Sequence, residues 1–318
     1  MKTLLVIGGS GFFGKSILDA YRRGLLQTWS IDSIYIFARN AEMLSSTNPE
    51  LIDASVRLIN GDIGSCESLP YAEYVIHAAA SSDASKYLEA PENEKKNIIA
   101  GTLNFCKIAK SDFKESKILY VSSGAVYGRT TNELIPFSEE DVFIPLEEVQ
   151  EEKRHYAAAK RDSESEIILL GKSGISVSIA RCFAFIGCYL PRDQHFAIGN
   201  FIQNGMNHVP IKIKAQNRVY RSYMYADDLV IWLMTIASAA SKQCPIYNVG
   251  SSEAFEIREL GRLLSGIYSV NAEYKQPNQD RPDYYIPSIT KASNDLGLSC
   301  SHSTFDAIRL TDKKINAG

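Results

Sequence analysis

The chain opens on Thr3-Leu4-Leu5-Val6-Ile7-Gly8-Gly9-Ser10-Gly11-Phe12-Phe13-Gly14, followed by the helical pattern of residues 15–23. A strand-like apolar run therefore passes through glycines directly into a helix. Glycines at such a junction allow a tight turn and bring the backbone close to a pyrophosphate, whose charge is met by the unpaired N–H groups of the first helical turn. Gly8, Gly11 and Gly14, with Phe12 and Phe13 between them, are expected to form a phosphate loop for a dinucleotide.

Working outward, short β-branched runs at residues 4–7, 34–38, 56–60, 74–78, 117–122 and 177–181 alternate with longer helical patterns. Near-continuous apolar strands separated by helices indicate an α/β fold, a doubly wound parallel sheet covered on both faces. After Cys182 the rhythm breaks at Gly187, Pro191, Gly199, Gly205 and Pro210, and Pro277, Pro282 and Pro287 make the tail irregular. We expect residues 1–183 and 219–250 to form the dinucleotide-binding domain. Residues 184–218 and 251–318 would form a smaller α/β lobe that binds the substrate.

The 318 residues, 45% of them hydrophobic, can fill such a core. With 34 basic against 37 acidic side chains, the net charge of -3 gives no reason to expect a nucleic acid or a membrane surface as partner. The six cysteines lack the CxxC or paired-histidine spacing of a zinc site, so no metal is expected and they read as buried thiols of a reducing cytoplasm. No signal peptide is apparent, and the apolar stretch 229–240 is too short to span a bilayer, so a soluble cytoplasmic protein is expected. The acidic stretch 139–152 reads as a solvated loop and helix start.

The end of the second strand discriminates between cofactors. An acid there binds the free 2'-hydroxyl of the ribose, whereas a base accommodates a 2'-phosphate. The chain has Ile36-Phe37-Ala38-Arg39-Asn40, so Arg39 favours NADP(H), with NAD(H) the alternative. Asp62 and Ile63, after the third strand, are placed to face the adenine. Ala78, Ala79 and Ala80, closing the fourth, are small enough for a dinucleotide to lie against.

Tyr156-Ala157-Ala158-Ala159-Lys160 sets a tyrosine and a lysine four apart, on one face of a helix. An ammonium beside a phenol stabilises the phenolate against its reference value of about 10, which suits the pair to acid–base work near neutrality. Tyr120-Val121-Ser122-Ser123-Gly124-Ala125-Val126-Tyr127-Gly128 ends a strand in hydroxyls at the carboxyl edge of the sheet, where ligands bind in such folds. Ser123 is expected to bond the reacting oxygen.

Taken in order, the glycine loop, SSGAVYG and YAAAK resemble the extended short-chain dehydrogenase/reductases of the NAD-dependent epimerase/dehydratase type, which act on nucleotide sugars. The likeness extends over nearly the whole chain, including RVYRSYMYADD at residues 218–228 and Arg281-Pro282-Asp283. The resemblance implies a Rossmann fold with Ser123, Tyr156 and Lys160 as the catalytic set. By the same matching, Ser122, Tyr156, Lys160 and Phe183 would touch the cofactor, and Ser81, Ser123, His195, Asn200, Arg221 and Arg281 the sugar nucleotide. Guanidinium forks such as Arg221 and Arg281 suit a diphosphate, with a surface ion pair as the alternative for each. A homodimer is also implied, and the helix carrying Leu103, Phe105, Ile108 and Ala109 offers either its face or ordinary core.

Departures from the family pattern narrow the chemistry. Members that eliminate water carry an Asp-Glu pair after the catalytic hydroxyl, and Gly124 and Ala125 stand there instead, which argues against a 4,6-dehydratase. Ala184 replaces an asparagine that usually contacts the sugar diphosphate, and Asn97 lies one residue out of register with the family's active-site asparagine. The remaining readings are an NADPH-dependent reductase of an NDP-4-keto-6-deoxyhexose, a 4-epimerase retaining NAD, and a decarboxylase. Arg39 favours the reductase, as in the making of deoxysugars for surface polysaccharides such as O-antigen. A non-catalytic, NADP-binding redox sensor is the reading from another class.

Overall fold

The first strand, β1 (Lys2–Ile7), divides its side chains between two cores. Leu4 and Val6 pack with Ile17 and Leu18 of α1 (Phe12–Arg22), whereas Leu5 and Ile7 pack with Phe105 and Ile108 of α2 (Pro91–Asp112) and Ile167 of α3 (Glu151–Lys172). Period-two alternation thus buries both faces of the strand, and each fully buried Leu or Ile contributes about 2 kcal/mol. The computed structural model describes residues 2–79, 89–128, 134–192, 196–274 and 282–317.

With β2 (Ile31–Ala38), β3 (Val56–Asn60), β4 (Tyr74–His77), β5 (Lys117–Ser123), β6 (Ser176–Cys182) and β7 (Ile246–Val249), β1 builds a seven-stranded parallel sheet in the order β7-β6-β5-β4-β1-β2-β3. The order reverses at β1, which opens a crevice at the carboxyl ends of β1 and β4. Register aligns those ends, with Ile7 beside His77 and Ser123 beside Cys182. Four of the strands extend a residue or more beyond the apolar runs seen in the sequence. The short β7 gave no clear pattern because Asn248 is polar; its amide, fully buried, donates to the Phe137 carbonyl (2.8 Å).

A separate core gathers Ile198, Phe201 and Ile202 of α4 (Ala197–Met206) with Leu260 and Leu264 beyond α5 (Ala226–Ser238), in α6 (Ile257–Tyr268), and Ile308 of α7 (Thr304–Ala317). Around it, Val219–Ser222 lies between Ala254–Glu256 and Asp283–Tyr285 in a three-stranded sheet. α5 packs instead on β4, β5 and β6 beside α1. Phe105, Ile108 and Ala109 of α2 belong to the chain's own core, and Leu103 is 46% exposed. Cys106, Cys182 and Cys244 are buried, but Cys66, Cys188 and Cys300 are only half-buried, a correction to the reading of all six as buried; all are free thiols. Among the described residues no helix is long and apolar enough to cross a membrane.

Candidate active site

Gly8 has φ +82° and packs so closely that a Cβ there would lie 2.6 Å from the Ala79 Cα. Gly14 is tighter still, 1.9 Å from the Gly9 carbonyl oxygen to a notional Cβ. A Cβ on Gly11, by contrast, would meet only the Gly8 oxygen, at 3.8 Å. The first two glycines serve protein packing, and the third leaves open space at the N-terminus of α1, which carries no side-chain cap and no acid in its first turn. That cradle fits a pyrophosphate. The Phe12 and Phe13 rings pack on Phe185 (6.2 and 5.6 Å between centroids), so these two residues offer a ligand their backbone N–H groups rather than their rings.

Around the crevice, Arg39 is exposed just beyond β2, and the next carboxylate in the chain, Glu42, is bound to Asn60 (2.8 Å). Asp62 is exposed and accepts the Gly64 N–H (2.8 Å), while Ile63 packs against the core under α2. Ala78 donates its N–H to the Ile7 carbonyl (2.8 Å), which holds the end of β4 against β1 beside the loop. Ala80 and Ser81 lie outside the described residues, as do His195 and Arg281.

Tyr156 and Lys160 both lie on α3, with the tyrosine half-buried and the lysine 3% exposed. The Lys160 Nζ is 5.9 Å from the Tyr156 ring centroid and donates to the Val121 carbonyl (2.9 Å) and the Tyr120 hydroxyl (3.3 Å). Burial by itself would push the ammonium down, but the Tyr120 and Tyr156 phenols hold it above the ordinary lysine value. Ser123 ends β5 half-buried, accepting the Ala125 N–H (3.2 Å). β5 thus ends on Ser123 at the carboxyl edge of the sheet, and Tyr156 and Lys160 lie one turn apart on α3.

Ser122 is a correction. Rather than standing exposed to a cofactor, its side chain is turned inward and its hydroxyl donates to Glu164 (2.6 Å). Glu164 in turn binds Arg181 (2.8 Å), both side chains being nearly inaccessible at 4% and 6%. Arg181 continues to the Tyr127 hydroxyl (2.9 Å), which donates to Asn248 (2.8 Å), whose N–H reaches Glu139 (2.7 Å). Glu139 is therefore part of a half-buried network, not a solvated acid, and burial raises its carboxyl above the usual range. The rest of the acidic stretch conforms to expectation, with Glu151 and Glu152 opening α3.

On the substrate side, Asn200 is half-buried on α4. Arg221 is in an ion pair with Asp283 (2.7 Å), with Lys153 3.6 Å from the same carboxylate. Although burial opposes it, the Arg221 guanidinium holds the Asp283 carboxyl below its ordinary value. Phe183 lies tilted against Tyr285, with 4.6 Å between ring centroids, and the Tyr285 hydroxyl lies beside the Ser123 side chain. A Cβ at Gly124 would lie 2.6 Å from Phe183 and 2.7 Å from the Tyr285 hydroxyl. These aromatics fill the place of the dehydratase acid, so Phe183 borders the serine. Asn97 is exposed on α2. Tyr120, Glu164 and Tyr285 were not anticipated. Glu164 follows Lys160 by four on the helix, a signal present in the sequence, whereas only the folded chain brings Tyr285 to Ser123.

Residues 4–250 match the NAD dependent epimerase/dehydratase family. UDP-glucuronate 4-epimerase 4 of Arabidopsis thaliana is 24% identical over 321 residues, covering 93% of this chain and 71% of that protein. UDP-glucuronic acid decarboxylase 1 of the same plant is 24% identical over 296 residues, covering 92% and 65%. In fold, the UDP-N-acetylglucosamine 4-epimerase of Methanobrevibacter ruminantium M1, solved with UDP-N-acetylmuramic acid, aligns with a TM-score of 0.82 at 21% identity, covering 99% of this chain and 98% of that one. The match spans most of the chain, including Ser123, Tyr156 and Lys160, and the protein belongs to the NAD dependent epimerase/dehydratase family, within the extended short-chain dehydrogenase/reductases.

Proposed function

We propose that the protein oxidises and re-reduces C4 of a nucleotide-linked sugar and acts as a 4-epimerase. The observation that carries this reading is the pairing of a Ser123–Tyr156–Lys160 set with an aromatic floor, Phe183 and Tyr285, where an elimination acid would stand. Tyr156 takes the proton from the sugar hydroxyl and returns it, Ser123 bonds the same oxygen, and the Lys160 ammonium stabilises the phenolate. The Gly8–Gly14 loop would hold the pyrophosphate of NAD(P), with Arg39, Asp62, Ile63, Ala78 and Ala79 along its length; when bound, the cofactor supplies the hydride chemistry. Arg221 and Asn200 would bind the sugar nucleotide, Arg221 exchanging its Asp283 partner for phosphate oxygens. The 4-epimerases among its relatives support this reading.

Arg39 supports a second reading, an NADPH-consuming reductase of an NDP-4-keto-6-deoxyhexose, because a base rather than an acid directly follows β2. Denaturing the purified protein and analysing the released nucleotide separates the two. Tightly bound NAD with no consumption of added NADPH supports the epimerase, whereas stoichiometric NADPH oxidation by 4-keto sugars establishes the reductase. For a homodimer, Leu103 on α2 and Leu169 on α3, 46% and 54% exposed, offer apolar contact area.

A further inference from the structure

β5 turns Tyr120 and Ser122 toward α3, because they share the strand's period-two face with Ile118. Two residues along a strand span about 6.7 Å and four along a helix about 6 Å, so positions 120 and 122 come into step with 160 and 164. The result is two rungs between strand and helix: Tyr120 with Lys160 at 3.3 Å and Ser122 with Glu164 at 2.6 Å. A phenylalanine at 120 would fill the same space against His77 and Phe105, since the Tyr120 ring is 1% exposed and His77 sits 5.4 Å from it. What the tyrosine adds is one oxygen, and that oxygen meets the lysine.

We propose that Tyr120 is a positioning residue for the catalytic lysine, its buried hydroxyl fixing the direction in which the Lys160 ammonium presents its remaining donor. An ammonium has three donors on a flexible stem. The Val121 carbonyl takes one at 2.9 Å and the Tyr120 hydroxyl a second, so the third has its direction set. The Tyr120 ring face, 4.9 Å from Nζ, holds the charge near but does not orient it, because attraction to a ring face has little directional preference. Without the hydroxyl the ammonium is attracted but free to rotate, and its hold on the Tyr156 phenolate weakens.

This inference rests on the assignment of Lys160 to catalysis, but its test does not require a known substrate. Tyr120→Phe removes one oxygen and leaves the ring. In 1H–15N spectra of lysine side chains, with the Lys160 signal assigned by Lys160→Met, exchange of the ammonium protons with water should accelerate about tenfold in Tyr120→Phe, as expected when one charge-assisted hydrogen bond is lost. Where a sugar nucleotide is turned over, kcat should fall with KM unchanged. Should Tyr120→Phe not fold, 3-fluorotyrosine at position 120 weakens the acceptor without altering shape and should move exchange in the same direction by less. Unchanged ammonium exchange in a folded variant overturns the proposal, whatever happens to turnover. Absence of turnover in the unaltered protein, with exchange accelerated in the variant, overturns only the functional reading.

Discussion

Replacing Glu164 with leucine removes the acceptor from a guanidinium that has almost no access to water. Arg181 is bound to Glu164 through Nε at 3.1 Å and NH2 at 2.8 Å, and among the described residues keeps the Tyr127 hydroxyl, a long contact to the Glu139 carbonyl (3.5 Å) and the faces of Tyr127 and Phe143. Stripping one partner from a buried ion pair costs about 3–5 kcal/mol, and the surviving contacts place this case near the lower end. The Ser122 hydroxyl loses its acceptor too, adding about 1 kcal/mol. We therefore expect Glu164→Leu to lose about 4 kcal/mol. Urea unfolding followed by circular dichroism measures it, and Glu164→Leu with Arg181→Met should recover most of the loss, because a buried pair exchanged for apolar residues is close to neutral. A single variant within about 1 kcal/mol of the parent, or a double variant weaker than the single, would refute the reasoning.

Further expectations follow from the same geometry. Gly11→Ala should abolish nucleotide binding, read by calorimetry, while leaving stability within about 0.5 kcal/mol, whereas Gly14→Ala, forced against the Gly9 carbonyl, should fail to fold stably. Burial, with the Lys160 ammonium nearby, pushes the His77 imidazole down to about 3 from 6.5. The unfolded chain therefore takes up a proton below pH 6.5 that the folded chain refuses, so this contribution is intact above that pH and is lost as pH falls toward 3. Between pH 6.5 and 5 the loss is about 2 kcal/mol, and His77→Phe should lack it when urea midpoints are compared. Arg39→Asp should raise affinity for NAD(H) relative to NADP(H) in paired titrations, and an unchanged ratio removes Arg39 as a selector.

Much of this was legible in the sequence because it is local. The glycine loop, the strand that feeds it and the four-residue spacing of Tyr156 and Lys160 are set by short-range geometry, and the sheet then brings Ser123 to the same edge. Residues whose roles depend on distant partners were not legible. Ser122 read as an exposed hydroxyl because its acceptor lies on a helix 42 residues away, and Glu139 read as solvated because Asn248 is 109 residues off. Tyr285 gives no local sign that its hydroxyl ends beside Ser123. Arg221 shows the reverse, since both the phosphate ligand and the ion pair were open in the sequence, and the folded chain supplies Asp283 as its partner.

The central claim, that Tyr156 exchanges a proton at C4 of a nucleotide sugar, is tested most directly by proton NMR of a panel of UDP- and dTDP-linked hexoses and uronates incubated with the protein and with Tyr156→Phe. The account predicts inversion at C4 of at least one sugar by the parent protein and a loss of about 100-fold or more in the variant. Inversion that proceeds equally well without the phenolic hydroxyl, or elimination of water in place of inversion, would contradict it.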